Sequence, residues 1–316
     1  MVKYITRRMV GLVPTLMILL FLVVVMVELI PGDVIDLILE EKFEQNDEAR
    51  VLLERELGLD RPLPIRYLSY VAGVFTGDLG NSLWTDQSVA SLIAQRAIPT
   101  IEIGVLSILI GGFIGIGIGI ISAVRQDSFL DYSLRSVAIL GLSVPNFALA
   151  TGYVVFPAIW WGIAPNMRYV SFTEAPVDHI KIILPPAIIL GVSLSATLMR
   201  LMRTTMLNEL RQDYVRTAHS KGLLHRSVIF RHVLKNALIP VITLLGLQVA
   251  FLIGGSVITE SVFAIPGVGR LLLGSIASRD YPVIQGIVVV IGLFVITTNL
   301  LIDLSYAWLD PRIRYS

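Results

Sequence analysis

The 316-residue sequence contains no cysteine and only 16% charged residues. Without cysteine there is no disulfide framework, thiolate metal site or thiol nucleophile. With 55% apolar residues and a mean hydropathy of +0.77, the scarcity of charge excludes a soluble domain of this length. Several chemical signatures are also missing. No glycine-rich loop ends in Gly-Lys-Ser/Thr, so the chain is not expected to bind and hydrolyse a nucleotide by itself. His-Glu-x-x-His, Gly-x-Ser-x-Gly and the dinucleotide-binding glycine fingerprint are absent as well. His219, His225 and His232 share one polar loop and His179 lies in another, so surface or interface roles are expected rather than a metal cage. No catalytic residue, cofactor or metal site is predicted, and any energy source must arrive on a partner.

What is present is a succession of long apolar runs. A hydrocarbon core about 30 Å thick takes about 20 residues of helix. Six stretches supply that, at about 9–30, 98–124, 135–161, 180–202, 237–258 and 283–307. The expected fold is all-α and membrane-integral, with six transmembrane helices. Pro145 and Pro157 interrupt the third stretch, and Trp160-Trp161 marks an interfacial end. The first run follows Lys3, Arg7 and Arg8, but is too long for a cleaved signal and lacks a small-residue cleavage site.

Cations give the orientation. The segment formed by the end of the fourth run and the loop that follows it holds Arg200, Arg203, Arg211, Arg216, Lys221, Arg226, Arg231 and Lys235, whereas the short segments on the opposite side hold two cations each. Both termini are therefore expected in the cytoplasm. Residues 1–30 form the N-terminal end and first span, 31–97 an extracytoplasmic loop or lobe, and 98–316 a five-helix core with a polar loop at about 203–236. In the lobe, Glu44–Leu57 favours a helix terminated by Gly58, Asp60, Pro62 and Pro64. Gly77-Asp-Leu-Gly80 reads as a turn and Thr85–Arg96 as an amphipathic surface helix.

Within the second span, Gly111, Gly115 and Gly119 bare one helix face for a neighbour's backbone. Glu28, Glu102, Glu260 and Asp303 lie near span ends, where snorkelling to water is cheap, and are not expected to relay protons. Gln248, Ser256 and Asn299 are candidates for lining a pore, with interhelical hydrogen bonding as the alternative.

The most informative stretch is Asp213-Tyr-Val-Arg-Thr-Ala-His-Ser-Lys-Gly222. Asp213 can accept from the free amides that open a helix, and Gly222 can take the left-handed conformation that closes one. Tyr214, Ala218 and Lys221 fall on one face, where a small residue between an aromatic and a cation fits a partner's groove. Ser227 then opens a second helix that Pro240 interrupts. A solvated basic loop obeying membrane topology is the alternative.

Over nearly its whole length the chain resembles the permease subunits of ABC importers of the dipeptide/oligopeptide/nickel group. The motifs that carry the likeness are Arg7-Arg8 with Pro14-Thr15, Pro31-Gly-Asp33, Leu57-Gly-Leu-Asp60 with Pro62, Gly77-Asp-Leu-Gly80 and Pro145-Asn-Phe147. They continue with Asp213-Tyr-Val-Arg-Thr-Ala218 and Gly222, Asn236-Ala-Leu-Ile-Pro240, Ile265-Pro-Gly-Val-Gly269, Asp280-Tyr-Pro-Val283 with Gly286, and Asp310-Pro-Arg312. The resemblance implies a bacterial or archaeal cytoplasmic membrane and the type I importer architecture with a cytoplasmic coupling helix.

Within that likeness, Arg216-Thr217-Ala218 with Gly222 corresponds to the Glu-Ala-Ala…Gly loop that engages an ATPase subunit. Arg216 replaces the family's Glu, and Pro240 lies later after Gly222 than in the general pattern. The implied coupling residues are Asp213, Tyr214, Arg216, Thr217, Ala218, Lys221 and Gly222. The implied partners are a second, similar permease subunit, two ATPase subunits that carry the ATP and magnesium, and an extracytoplasmic substrate-binding protein; a nucleic-acid partner is not expected. Short peptides are the first expectation for cargo, with nickel chelates, glutathione or oligosaccharides as alternatives. A channel or receptor subunit without an energy source would not need the docking helix. An intramembrane enzyme would need convergent acid, base or metal residues inside the spans, where ionisable groups are nearly absent.

Overall fold

The computed structural model describes residues 2–29, 35, 39, 50–51, 54–55, 60–163 and 168–309. Pro31-Gly-Asp33, most of the helix expected over Glu44–Leu57, and Asp310-Pro-Arg312 lie outside the described residues. Helices dominate: α1 (Val2–Leu29), α2 (Leu63–Thr76), α3 (Val89–Val124), α4 (Phe129–Ser143), α5 (Asn146–Trp161), α6 (Pro176–Leu210), α7 (Asp213–Ser220), α8 (Leu234–Val262), α9 (Val268–Ala277) and α10 (Tyr281–Leu309). A turn at His225–Ser227 and a π-helical stretch at Val228–Val233 lead into α8.

Among the described residues five helical segments are long and apolar enough to cross a bilayer, and α4 with α5 make a sixth span if that bent pair is counted as one. The two meet at 86°. A proline ring disfavours helical backbone in the residue before it, and Val144 and Pro145 are both extended, with ψ of 120° and 140°. Other prolines do not break their helices. Pro240 lies inside α8, Pro157 inside α5, Pro14 inside α1 and Pro185-Pro186 inside α6, so the interruptions expected at Pro240 and Pro157 do not occur. The separate surface helix expected at Thr85–Arg96 is also absent: α3 begins at Val89 and continues through Pro99. The carbonyl that Pro99 leaves without a donor belongs to Gln95, an exposed residue that water can reach.

The chain divides into two compact units. The first comprises Met1–Ala97 and Leu271–Thr297. Here α2 lies along α1, with the Tyr67 hydroxyl donating to the Met17 carbonyl at 3.2 Å and its ring edge-on to Phe21. Asp280, 4% exposed, accepts from the Ser82 hydroxyl at 2.6 Å and the Leu83 amide at 3.3 Å. The Trp84 indole donates to the Ser278 carbonyl at 2.9 Å, so the 80–88 loop is tied to the turn before α10.

The second unit comprises Ile98–Arg270 and Thr298–Ser316, and its organising contact is α3 on α6. A Cβ placed on Gly111 would meet the Gly191 carbonyl at 2.8 Å, on Gly115 the Ser195 carbonyl at 2.6 Å, and on Gly119 the Met199 carbonyl at 2.9 Å. Each partner lies 80 residues further on, so the two helices run parallel in a constant register, one turn against one turn. Ser107 and Ser195 turn their hydroxyls onto their own helices, at the carbonyls of Ile103 and Val192. Close packing, rather than hydrogen bonding across the seam, therefore joins the helices.

One end of the seam is closed by charge. The Asp131 carboxylate, 0% exposed, receives Arg203 Nε at 2.9 Å and Nη2 at 2.7 Å, the Ser122 hydroxyl and the Asp127 amide at 3.1 Å. A forked guanidinium on a fully engaged carboxylate joins the turn after α3, the first turn of α4 and α6.

Two stability outcomes follow from this seam. Gly115→Leu lowers the melting temperature of the purified chain through overpacking, which costs about 1–3 kcal/mol. Gly117→Leu, where a Cβ would meet nothing within 4 Å, leaves it unchanged; equal losses would refute the register. Arg203→Met strands the Asp131 carboxylate and costs about 3–5 kcal/mol, whereas adding Asp131→Leu recovers more than half of the loss. Additive losses in the double variant would show that the pair is not the closure.

Candidate coupling surface and polar clamps

Helix α7 is short, and its hold on the molecule is a buried seat. Val215 and Ala218, three residues apart on one side, are 4% and 7% exposed. They pack into a cluster with Leu198, Met202 and Met206 of α6, with Val228, Ile229 and Val233 of the π-helical stretch, and with Ala237 and Val241 of α8. Ala218 thus faces the chain's own core and does not present the small-residue groove contact expected from its spacing. The outward stripe is Asp213, Arg216, Thr217 and Ser220, at i, i+3, i+4 and i+7.

Both helix ends can be read residue by residue. Gln212 holds the N-cap position without a side-chain capping bond, its Nε2 donating instead to the Asn208 carbonyl at 3.4 Å, so the capping role expected of Asp213 is not observed. Asp213 is instead the first helical residue, 3.6 Å from Arg216, and both side chains are almost fully exposed. Such a pair adds little stability. At the other end Gly222 has φ of +76°. Its amide donates to the His219 carbonyl at 2.9 Å, and the Leu223 amide donates to the Ala218 carbonyl at 3.3 Å. These are the two bonds of a Schellman closure, in which the left-handed residue is normally glycine. A Cβ on Gly222 would meet nothing within 4 Å, so backbone conformation and not space demands glycine here. The rings of His219 and His225 stack across this turn at 5.5 Å.

Tyr214 bridges the seat to its neighbours. Its hydroxyl donates to Glu209 at 2.5 Å and accepts from Asn236 Nδ2 at 3.3 Å. Burial, and then the Glu209 carboxylate, raise the phenol above its usual range and keep it a donor. Lys221 is exposed beside the closure. Apolar residues that helix signals do not single out flank this surface: Leu224 is 79% exposed, and Leu223 and Phe230 are exposed too. Their only signal is that they are large and apolar within a basic loop, and an exposed apolar patch marks an interaction site.

A second cluster lies where α8 ends. Glu260 was expected to reach water, yet it is 0% exposed. Its carboxylate accepts the Thr100 hydroxyl at 2.8 Å, the Ser256 hydroxyl at 2.9 Å and the Arg270 amide at 3.0 Å, while Thr100 accepts the Val268 amide at 2.9 Å. An acidic group therefore caps the start of α9 and joins it to α3 and α8. Gly267 and Gly269 leave room for the carboxylate, because a Cβ on either would strike it. Ser256, 1% exposed, spends its hydroxyl on Glu260 and offers none to a pore. Gln248 is half-buried on α8 and Asn299 is exposed on α10. His179, expected at a surface, is buried in the first turns of α6 with Nδ1 on the Val170 carbonyl at 2.8 Å. Among the described residues no group of three or more His, Asp or Glu is placed to hold a metal ion.

The family comparisons cover both parts of the chain. Residues 115–315 match the model for the binding-protein-dependent transport system inner membrane component, and residues 1–103 match the model for the N-terminal part of the same membrane components. A protein of Brucella suis biovar 1 assigned as a peptide permease is 40% identical over 317 residues, covering 99% of each chain. The glutathione transport system permease protein GsiC of Pectobacterium atrosepticum is 38% identical over 316 residues, covering all of both chains. Among solved structures, the inward-facing MetNI methionine ABC transporter aligns with a TM-score of 0.55 at 17% identity, over 69% of this chain and 96% of that one. An amino acid ABC transporter with histidines aligns with a TM-score of 0.54 at 15% identity, over 68% and 92%. The chain belongs to the family of binding-protein-dependent transport system inner membrane components, the ABC-importer permeases whose motif order its sequence follows.

Proposed function

We propose that this chain is one of two similar permease subunits in an ATP-driven importer of short peptides, and that α7 is the element through which an ATPase subunit drives it. The observation that carries the reading is the seat of α7. A short helix with an exposed polar stripe is fixed by Val215 and Ala218 into the core shared by α6 and α8, so a displacement of the helix must displace those spans. The missing nucleotide loop supports an energy source on separate chains.

The cation-rich loop that carries α7 supports a cytoplasmic side for it and for both termini, and a substrate-binding protein would then deliver cargo to the opposite face. Two ATPase subunits closing on ATP and magnesium would move α7 and its counterpart, and the vestibule between the two permeases would alternate its access. Asp213, Arg216, Thr217 and Lys221 form the contact surface, Tyr214 and Ala218 hold it in place, and Gly222 closes it. Gln248 and Asn299 are the remaining candidates for the translocation path. Relatives named for peptide transport favour peptides as cargo. The equally full-length similarity to a glutathione permease favours glutathione, itself a short peptide, as the second choice.

The test is made on the assembled complex in lipid, with hydrolysis stimulated by a peptide-loaded binding protein. Gly222→Val preserves assembly, because space is open at that position, but forces a branched L-residue into left-handed backbone at about 1–2 kcal/mol. Stimulated hydrolysis is expected to fall about tenfold, the equivalent of about 1.4 kcal/mol. Gly222→Asn, which tolerates that conformation, retains most of it. Unchanged stimulation in Gly222→Val would overturn the proposal.

A further inference from the structure

Glu102 of α3 and His179 of α6 meet at the end of the helix seam opposite Asp131. The ring of His179 is fixed. Nδ1 lies 2.8 Å from the Val170 carbonyl, which can only accept, so Nδ1 carries a hydrogen. The rings of Tyr169 and Phe172 stand edge-on to it at 5.7 and 5.6 Å. Nε2 then faces Glu102 Oε2 at 3.2 Å, yet no hydrogen bond closes between them, and that carboxylate oxygen is buried without a donor. A buried acceptor that lacks a donor is costly and calls for one.

A cavity of about 510 Å³ lies against this pair. Apart from Glu102 and His179 its lining is apolar, including Val105, Leu106, Phe172, Ile183 and Leu184. The nearby Asp178 and Lys181 pair with each other at 3.0 Å on the exposed side of α6. An apolar chamber with acceptors at one point selects a ligand with a strong donor at one end and hydrocarbon behind it.

We propose that this cavity binds a primary ammonium carried on an apolar chain, the ammonium donating to Glu102 Oε2 and His179 Nε2 while the chain lies along α3 and α6. The amino terminus of an apolar peptide and the head group of an ethanolamine lipid share this chemistry. A quaternary ammonium does not, because it has no N–H to donate. The site does not depend on the importer reading, since binding requires neither ATP nor an ATPase subunit.

The purified full-length chain, with any subunits that accompany it, is placed in nanodiscs of phosphatidylcholine and its melting temperature measured. In one arm phosphatidylethanolamine is introduced into the disc; in the other, leucyl-leucine or its N-acetylated form is added to the buffer. A rise with phosphatidylethanolamine assigns the site to lipid, and a rise with leucyl-leucine but not with the acetylated form assigns it to peptide. Glu102→Gln, similar in shape, weakens the response at least about tenfold, since it removes a charge-assisted bond. If that variant does not fold, native mass spectrometry of the wild-type chain reads preferential retention of the ethanolamine lipid or the free dipeptide directly. No response to either amine, or an equal response in Glu102→Gln, overturns the proposal and leaves the pair to be closed by a proton of its own.

Discussion

The close approach of α3 to α6 is the constraint on which the rest of the second unit depends. Gly111, Gly115 and Gly119 set one backbone against another in a single register, because each missing Cβ would stand within 3 Å of the facing helix. In a bilayer the lipid tails compete on equal terms with apolar side chains, so helices gain by fitting each other more closely than lipid can. Every contact along the seam inherits that register. Met202 flanks Gly119, and one turn later Met206 lies in the seat of α7. The short helix on the polar loop is thus mounted on the same rigid pair that crosses the membrane.

The two ends of the seam solve the problem of buried charge differently. At Asp131 a carboxylate is met by a forked guanidinium, a hydroxyl and an amide, and its acceptors are satisfied from within the chain. At Glu102 one oxygen faces His179 Nε2 at 3.2 Å with no hydrogen bond closed between them. Glu260 stands between these cases in chemistry, a buried anion held by two hydroxyls and the opening amides of α9. Closed polar networks of the first kind specify geometry, while an open one leaves a donor to be supplied.

Much of this organisation was legible in the sequence. Apolar length located the spans, a four-residue glycine period located the close seam, and Gly222 announced the left-handed closure of α7. Pro145 marked the interruption of the third span, although neither the 86° bend nor its sharpness followed from composition. The remaining features depended on partners distant in the chain. Ala218 looked like a contact for another protein because its spacing beside Tyr214 said nothing of Met206 or Val228 packing behind it. Glu260 looked like a snorkelling residue because Thr100, 160 residues earlier, could not be seen to reach it. Asp213 lost its expected capping role to Gln212, a shift of one residue that helix signals alone do not resolve.

If the exposed stripe of α7 meets an ATPase subunit, as proposed, a thiol placed on that stripe will cross-link to it. Because the chain has no cysteine, one can be introduced at Ser220 without a competing thiol. Cross-linking of Ser220→Cys in native membranes, followed by identification of the adduct, reads that contact. An ATPase subunit is expected in the adduct from Ser220→Cys and none in that from Glu174→Cys, an exposed position in the loop between α5 and α6. An adduct that lacks any ATPase, or the same ATPase adduct from both positions, would contradict the contact.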